Sequence, residues 1–355
     1  MLPLAIALLS LLALPPQSRT ATQWTAAGWD ALGSGKADRA AEAFEEALRI
    51  DSRNPIAMLG AGVSAQLRGR SPEAREYLAG ALRLQPSLTA ASLLLGELLY
   101  READLQGAIQ TYEQALVYAA EQPQLKKRLD AWHREAALHD RFSQKLANHF
   151  TILFDGPPDQ PLAARVAELL EADYWRIGGA LSAYPADVIQ VVLYTREQFR
   201  DITESPAWAG GAFDGRIGIP AAGKIPDREL QRVLAHELTH AIVHNVVPRG
   251  TPQWLNEGLA VLFEDGDISQ ERALVARGKL IPLDQLEKPF DDLSRDDATL
   301  AYAESAVAAR KLMDLGGPTA VFNLLTDLAN GLPFASAFER AALMSYAEFT
   351  SRWFE

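Results

Sequence analysis

The feature that most constrains the fold is an internal repeat with a period of 34 residues, close to the amino terminus. Shifting the chain by this period aligns small and bulky apolar positions in three copies. The aligned sets are Gly28, Gly62 and Gly96; Ala40, Ala74 and Ala108; Ala47, Ala81 and Ala115; and Phe44, Leu78 and Tyr112. Small residues let two helices approach closely, and bulky residues fill the space between neighbouring hairpins. The pattern therefore predicts three stacked helical hairpins.

The period and its residues resemble the tetratricopeptide repeat (TPR), and the resemblance covers residues 21–122. Repeats of this kind usually present a concave surface to peptides or partner proteins, so the resemblance implies a protein partner. A purely structural role stays open.

Residues 123–148 carry spaced apolar positions among many charges, and they predict one long helix that caps and connects the array. Three histidines lie in or beside this segment: His133, His139 and His149. They lack a metal-ligand spacing, so we expect them to be solvated or to take part in packing.

The periodicity changes at residue 149, where we place the start of a second domain that runs to residue 355. Apolar runs at 150–154 and 188–194 predict strands, and residues 162–181 predict a helix between them. The fold class expected is an all-α repeat array followed by an α+β domain with a mainly helical carboxyl-terminal half.

A further short strand is predicted over residues 214–220, where Pro220 favours an edge position in the sheet. An edge strand has free backbone groups that can hydrogen-bond an extended peptide. Asp214, Arg216 and Gly218 are therefore candidates for holding a substrate backbone.

The chemical centre is the sequence His-Glu-Leu-Thr-His at residues 236–240, within a helical pattern. Two histidines four residues apart project from one helical face, so His236 and His240 can bind one metal ion while Glu237 faces the bound water. Glu257, on the next predicted helix, adds a carboxylate. Two His and one Glu leave a tetrahedral position open, which is typical of a catalytic zinc site. We expect one zinc ion per chain.

Other ligand sets fit less well. The chain has no cysteine, so thiolate sites and disulfides are excluded. A three-histidine site would need glycine at position 243 and histidine at position 246, but both are valine. His244 lies one turn beyond His240 but drifts around the helix, so we expect an outer or surface position for it.

The His-Glu-Leu-Thr-His motif, residues 254–260 (WLNEGLA) and the helices that follow resemble the gluzincin metallopeptidases, in particular the peptidase MA-like proteins that often carry TPR repeats. The resemblance covers about residues 149–355 and implies peptide-bond hydrolysis. It implies zinc ligation by His236, His240 and Glu257, with Glu237 as general base and proton shuttle.

Two further positions follow from the same resemblance. Glu264 lies where the aminopeptidase branch keeps a carboxylate that orients a ligand histidine, whereas Val261 replaces the aspartate of the thermolysin branch. Tyr302 resembles the residue that stabilises the oxyanion; it would otherwise be an aromatic packed on the core. The amine-binding Gly-Ala-Met-Glu-Asn segment of aminopeptidases is replaced by residues 211–215 (GAFDG), which puts aminopeptidase specificity in doubt.

Composition and the amino terminus indicate the class of partner and the location of the protein. With 34 basic and 46 acidic residues the net charge is −12, which disfavours a nucleic-acid partner. Residues 2–14 are uncharged, mainly apolar and too short for a permanent membrane span, so residues 1–20 predict a signal peptide and a periplasmic or secreted protein. Because this segment has no Lys or Arg, a buried amino-terminal helix stays open as the alternative.

Two functions are compatible with these observations. The first is an exported zinc metallopeptidase whose TPR array recruits a peptide or protein substrate or a partner. The second is a TPR-based envelope scaffold whose peptidase-like domain keeps zinc with weak or no turnover. The intact Glu237 favours the enzyme, and the altered segment at residues 211–215 favours the scaffold.

Overall fold

The computed structural model describes residues 19–203, 210–221, 225–290 and 293–354. The predicted signal peptide lies outside these ranges except for its last two residues. None of the helices found in the described ranges is long and apolar enough to cross a membrane.

Six helices form the three hairpins that the repeat predicts. They are α1 (Ala21–Gly33), α2 (Ala37–Ile50), α3 (Pro55–Leu67), α4 (Ser71–Leu84), α5 (Thr89–Arg101) and α6 (Leu105–Tyr118). Each hairpin repeats one contact, in which a glycine of the first helix meets the bulky residue of the second. A methyl group on Gly96 would lie 2.3 Å from the Tyr112 ring, and one on Gly28 would lie 2.6 Å from Phe44. Glycine therefore permits the close helix packing that sets the period.

Helix α7 (Pro123–His139) packs on α6 and closes the array. Its Trp132 is fully buried, with ring centroids 5.2 Å from Tyr100 and 4.5 Å from Tyr112. The prediction of one helix through residue 148 is wrong beyond His139, because residues 143–146 form strand β1 of the second domain. All four β1 side chains are exposed, so the strand has no apolar alternation by which the sequence could reveal it.

A five-stranded sheet begins the second domain. Its strands, in spatial order, are β1 (Ser143–Leu146), β2 (Phe150–Phe154), β3 (Ile189–Leu193), β5 (Ile217–Ile219) and β4 (Ala212–Phe213). Strands β2, β3 and β5 are parallel, and β1 and β4 pair antiparallel at the two edges. Helix α8 (Gln160–Leu181) connects β2 with β3 and packs on the sheet, and α9 (Arg196–Thr203) follows β3.

The predicted edge position of residues 214–220 is wrong. Their strand, β5, is hydrogen-bonded to β3 on one side and to β4 on the other. A turn at Gly215, whose φ is 105°, folds the chain back so that β4 becomes the edge. With only two residues, β4 is too short for periodicity to detect.

Helices make up the rest of the domain. They are α10 (Asp227–Val246), α11 (Gln253–Asp265), α12 (Ser269–Val275), α13 (Arg295–Ala329), α14 (Phe334–Ala342) and α15 (Tyr346–Arg352). Helix α13 is kinked at Gly317, and α11 packs tightly against it because Gly258 faces the backbone of Ser305. A methyl group on Gly258 would lie 2.2 Å from the Ser305 carbonyl oxygen. This contact fixes the helix that carries Glu257 against α13.

Candidate metal centre

Helices α10 and α11 bring together the three residues proposed as metal ligands. The rings of His236 and His240 project from one face of α10, with their centroids 4.8 Å apart. Glu257 reaches them from α11, which is anchored by the fully buried Trp254. Its Oε2 atom lies 3.4 Å from the Nε2 atom of each histidine.

This cluster has the properties expected of a metal site. Its three side chains each offer one ligand atom, and these atoms all lie within 4.8 Å of one another. Glu257 is only 6% exposed, and its Oε2 atom is buried without a hydrogen-bond donor among the described residues. Such an orphaned buried oxygen is costly unless a cation satisfies it.

Neighbouring polar groups hold the cluster in place. His236 Nδ1 lies 3.0 Å from Glu264 Oε1, so a proton on Nδ1 leaves the Nε2 lone pair facing the cluster. Glu264 is also paired with Arg232. The Gln253 side-chain amide donates to Glu257 Oε1 at 2.8 Å. The structure thus places Glu264 beside one of the two candidate ligand histidines, His236, which the resemblance had left unspecified.

The electrostatics of the cluster favour a bound cation. Burial opposes ionisation of Glu257, but the facing His240 and His236 hold the pKa of its carboxyl far below the ordinary value. Burial likewise opposes protonation of His236, yet the neighbouring carboxylates of Glu257 and Glu264 outweigh it and raise its pKa to about 10. Without a metal, protons on the histidines balance the negative charge. A divalent ion would serve the same purpose.

Glu237 lies next to the cluster at the wall of the cleft. It is 6% exposed, and burial raises the pKa of its carboxyl above the ordinary value. The backbone of Gly211, immediately before β4, packs on it so closely that a methyl group there would lie 2.7 Å from Glu237 Cγ. Sequence reasoning missed this contact, because it joins two short segments through tertiary structure alone.

Tyr302, on α13, also lines the cleft. Its ring centroid lies 6.5 Å from that of His236, and Phe290 packs against it edge-on at 5.4 Å. The structure therefore brings Tyr302 to the same cleft as His236, His240, Glu257 and Glu237.

The proposed substrate-backbone residues lie elsewhere. Arg216 is 3% exposed, and its guanidinium pairs with Glu135 of α7 and lies over the Tyr100 ring, at the junction with the repeat array. Asp214 pairs with Arg216, and the Gly218 backbone is enclosed between β3 and β4. Among the described strands, the sheet edge beside the cleft belongs to β4 instead.

The other histidines are outside the metal cluster. His244 lines the cleft one turn beyond His240 and packs edge-on against Phe213 of β4, with ring centroids 5.5 Å apart. Burial, together with the guanidiniums of Arg101 and Arg249, lowers its pKa. His139 is half-buried and packs against Tyr194, with 2.9 Å between Nε2 and the hydroxyl oxygen.

His133 and His149 occupy positions typical of packing or surface histidines. His133 lies 3.2 Å from a carboxylate oxygen of Glu113, at the surface of the repeat array. His149 lies 2.7 Å from Glu171 and stacks on Tyr174 with ring centroids 3.9 Å apart.

Comparison with known families agrees with the two parts of the structure. The tetratricopeptide repeat family matches residues 25–89 and 68–125, and the Peptidase MA superfamily matches residues 178–354. The chain therefore consists of a TPR array followed by a Peptidase MA superfamily domain. No curated protein matches the chain significantly.

Three solved structures are similar to roughly a third of this chain. The first TPR of Spaghetti (RPAP3), bound to the HSP90 peptide SRMEEVD, is 19% identical with a TM-score of 0.32 and covers 33% of this chain and 96% of its own. The Sgt2 TPR domain from Aspergillus fumigatus is 21% identical with a TM-score of 0.32. The match covers 38% of this chain and 93% of the Sgt2 domain. The Yersinia enterocolitica type III secretion chaperone SycD, in complex with a peptide of the translocator YopD, is 19% identical with a TM-score of 0.31. The match covers 34% of this chain and 93% of SycD.

Proposed function

We propose that this protein is an exported zinc metallopeptidase that hydrolyses peptide bonds. The observation that carries the proposal is the cluster of His236, His240 and Glu257 with Glu237 beside it, in one open cleft. The Peptidase MA superfamily match over the same residues supports it.

The donor set and its spacing fit zinc. Zinc binds histidine nitrogen and carboxylate oxygen at about 2.0–2.1 Å, so two ligand atoms at a tetrahedral site lie about 3.3 Å apart. The two distances of 3.4 Å between Glu257 Oε2 and the histidine Nε2 atoms agree with this value. His236, His240 and Glu257 would hold one ion per chain. When bound, zinc polarises a substrate carbonyl and lowers the pKa of a bound water.

The chain's own residues supply the proton transfers. Glu237 accepts a proton from the attacking water and passes it to the departing amine nitrogen. Tyr302 donates a hydrogen bond to the substrate carbonyl oxygen as negative charge develops on it. Glu264 acts through His236, whose ring it orients.

The substrate is held in an extended conformation along β4. This strand pairs only with β5 among the described strands, so its other edge can accept main-chain hydrogen bonds from a peptide. It runs beside α10, with Gly211 against Glu237 and Phe213 against His244. A peptide added to this edge passes directly in front of Glu237.

The TPR array recruits the peptide or protein substrate, or a partner. Stacked repeats of this family form a concave binding surface, and the array contacts the sheet domain through Glu135 and Arg216. The uncharged apolar run at residues 2–14 supports export to the periplasm or outside the cell. Amino-terminal sequencing of the exported protein tests this point, and an intact Met1 on cytoplasmic protein would contradict it.

The function is tested by incubating a diverse peptide library with the zinc-loaded protein and identifying products by mass spectrometry. The parallel variants are Glu237→Gln and, as a matched control, Glu168→Gln, which changes an exposed glutamate on α8. We expect the parent and the control to give the same products and Glu237→Gln to give none, with zinc content equal in all three. Identical products from Glu237→Gln would refute the role of this residue. No cleavage by the parent would favour the scaffold function.

A further inference from the structure

We propose that the cleft contains a subsite for a substrate carboxylate, formed by Arg249, His244 and Arg101. The proposal rests on the peptidase function and specifies which peptides the site prefers. His244 and Arg249 line the cleft that holds the metal cluster, and Arg101, on α5 of the repeat array, lies behind Arg249 with the Gln66 amide between them. The subsite is therefore completed by the TPR array.

A buried amide holds the two guanidiniums together. With the Gln66 amide oriented so that its oxygen faces them, this oxygen accepts hydrogen bonds from Arg249 Nη2 at 2.9 Å and from Arg101 Nη2 at 2.5 Å. Gln66 is 8% exposed, on α3. Two cations thus converge on one neutral acceptor.

This arrangement lacks a negative charge. No carboxylate among the described residues forms an ion pair with Arg101 or Arg249, whereas Arg232, elsewhere in the cleft, is paired with Glu264. An amide oxygen accepts hydrogen bonds but cannot neutralise two guanidiniums. Burial and the charge of Arg101 accordingly lower the pKa of Arg249. A carboxylate is the group that matches them, because it accepts paired hydrogen bonds from guanidinium.

The position of the cations matches the path of an extended substrate. Strand β4 leads from Gly211, at Glu237, to Phe213, whose ring packs on His244. A peptide added to the β4 edge therefore runs from the metal cluster towards the cations. One helical turn separates His240 from His244, which is about 6 Å along the axis, or roughly two residues of an extended peptide.

The ligand is thus a peptide with a carboxylate about two residues from the cleaved bond. That carboxylate is either the carboxyl terminus of the substrate or an Asp or Glu side chain. Both sources present the same chemistry to Arg249, and the experiment distinguishes them.

The test uses the zinc-loaded full chain and a family of fluorogenic peptides of one core sequence. One series moves a glutamate, or a glutamine as its control, one position at a time away from the cleaved bond. The other compares a free with an amidated carboxyl terminus placed two residues beyond that bond. We expect kcat/KM to be roughly ten- to a hundredfold higher for one carboxylate, the range for a hydrogen bond between charged groups. The source that shows the preference identifies the ligand.

Variants separate a binding role from a structural one. Arg249→Gln should reduce the preference to less than about twofold, whereas Arg134→Gln, an exposed arginine of α7, should leave it unchanged. Gln66→Glu supplies an internal carboxylate to both guanidiniums, so we expect it to raise the melting temperature and abolish the preference. A purely structural cluster would gain stability from Gln66→Glu without any change in selectivity.

Binding is measured separately from turnover, by fluorescence anisotropy with the Glu237→Gln variant. Tighter binding of the carboxylate peptide than of its amide, lost on Arg249→Gln, would support the subsite even if the parent cleaves nothing. Equal binding of the two peptides would overturn the subsite whether or not cleavage occurs. The peptidase proposal and the subsite proposal can therefore fail independently.

Discussion

Replacing Glu135 by glutamine should destabilise the junction between the repeat array and the sheet domain. Glu135 of α7 pairs with Arg216, at the start of β5, and accepts a hydrogen bond from the Tyr100 hydroxyl at 2.9 Å. Glu135 and Arg216 are 2% and 3% exposed. The variant keeps the shape of the side chain but leaves the buried guanidinium with Asp214 as its remaining anionic partner.

The magnitude follows from the burial of the pair. Breaking a buried ion pair by removing one partner costs about 3–5 kcal/mol, because an uncompensated charge stays in a medium of low polarity. Since Asp214 still faces Arg216, we expect Glu135→Gln to cost about 3 kcal/mol. Asp214→Asn is the matched control in the same cluster. Its side chain is 37% exposed and its pair is longer, at 3.4 Å, so we expect a cost below about 1 kcal/mol.

Urea denaturation followed by circular dichroism measures both values. A third protein, Glu135→Leu with Arg216→Met, replaces the pair by apolar side chains and should recover most of the lost stability, because it removes both buried charges. Equal losses from Glu135→Gln and Asp214→Asn would refute the reasoning. So would a double variant less stable than Glu135→Gln alone.

Three more predictions concern the metal domain. Gly258→Ala should lower both stability and zinc content, because its methyl group would clash with the Ser305 carbonyl and displace Glu257; calorimetry and metal analysis test this. Burial raises the pKa of the Glu304 carboxyl from 4.5 to about 7. The free energy of unfolding should therefore fall by up to about 3 kcal/mol as pH rises from 4.5 to 7, because the buried carboxyl has to ionise. Urea titrations of Glu304→Gln should no longer show this contribution to the pH dependence. Removing the metal with EDTA should lower the melting temperature by an amount that excess zinc restores; a melt insensitive to both would contradict a bound ion.

Local features could be predicted from the sequence because their physics is local. The 34-residue period reflects a contact within one hairpin, as between Gly96 and Tyr112. The spacing of these residues along the chain is therefore enough to predict the hairpin. The four-residue spacing of His236 and His240 likewise places both on one helical face. The sequence also offers Glu257 as a carboxylate on the next predicted helix, and the structure brings its oxygen within 3.4 Å of both histidines.

The errors lie where the sequence has little periodicity. Strand β1 has exposed side chains on both faces and β4 has two residues, so neither shows an alternating pattern. Without β4, residues 214–220 were expected at the edge of the sheet. Arg216 was consequently expected to face a substrate, although it is buried against the repeat array.

The sequence by itself determined the repeat array, the helix that carries the two histidines and the position of Glu237 beside them. Only the tertiary structure decided which strand borders the cleft and which charges face it. The turn between β4 and β5 brings Gly211 against Glu237. The packing of the array on the second domain brings Arg101 and Arg249 to the same Gln66 amide. These contacts join segments far apart in the chain, and no spacing rule encodes them, because their geometry depends on how whole helices and strands pack.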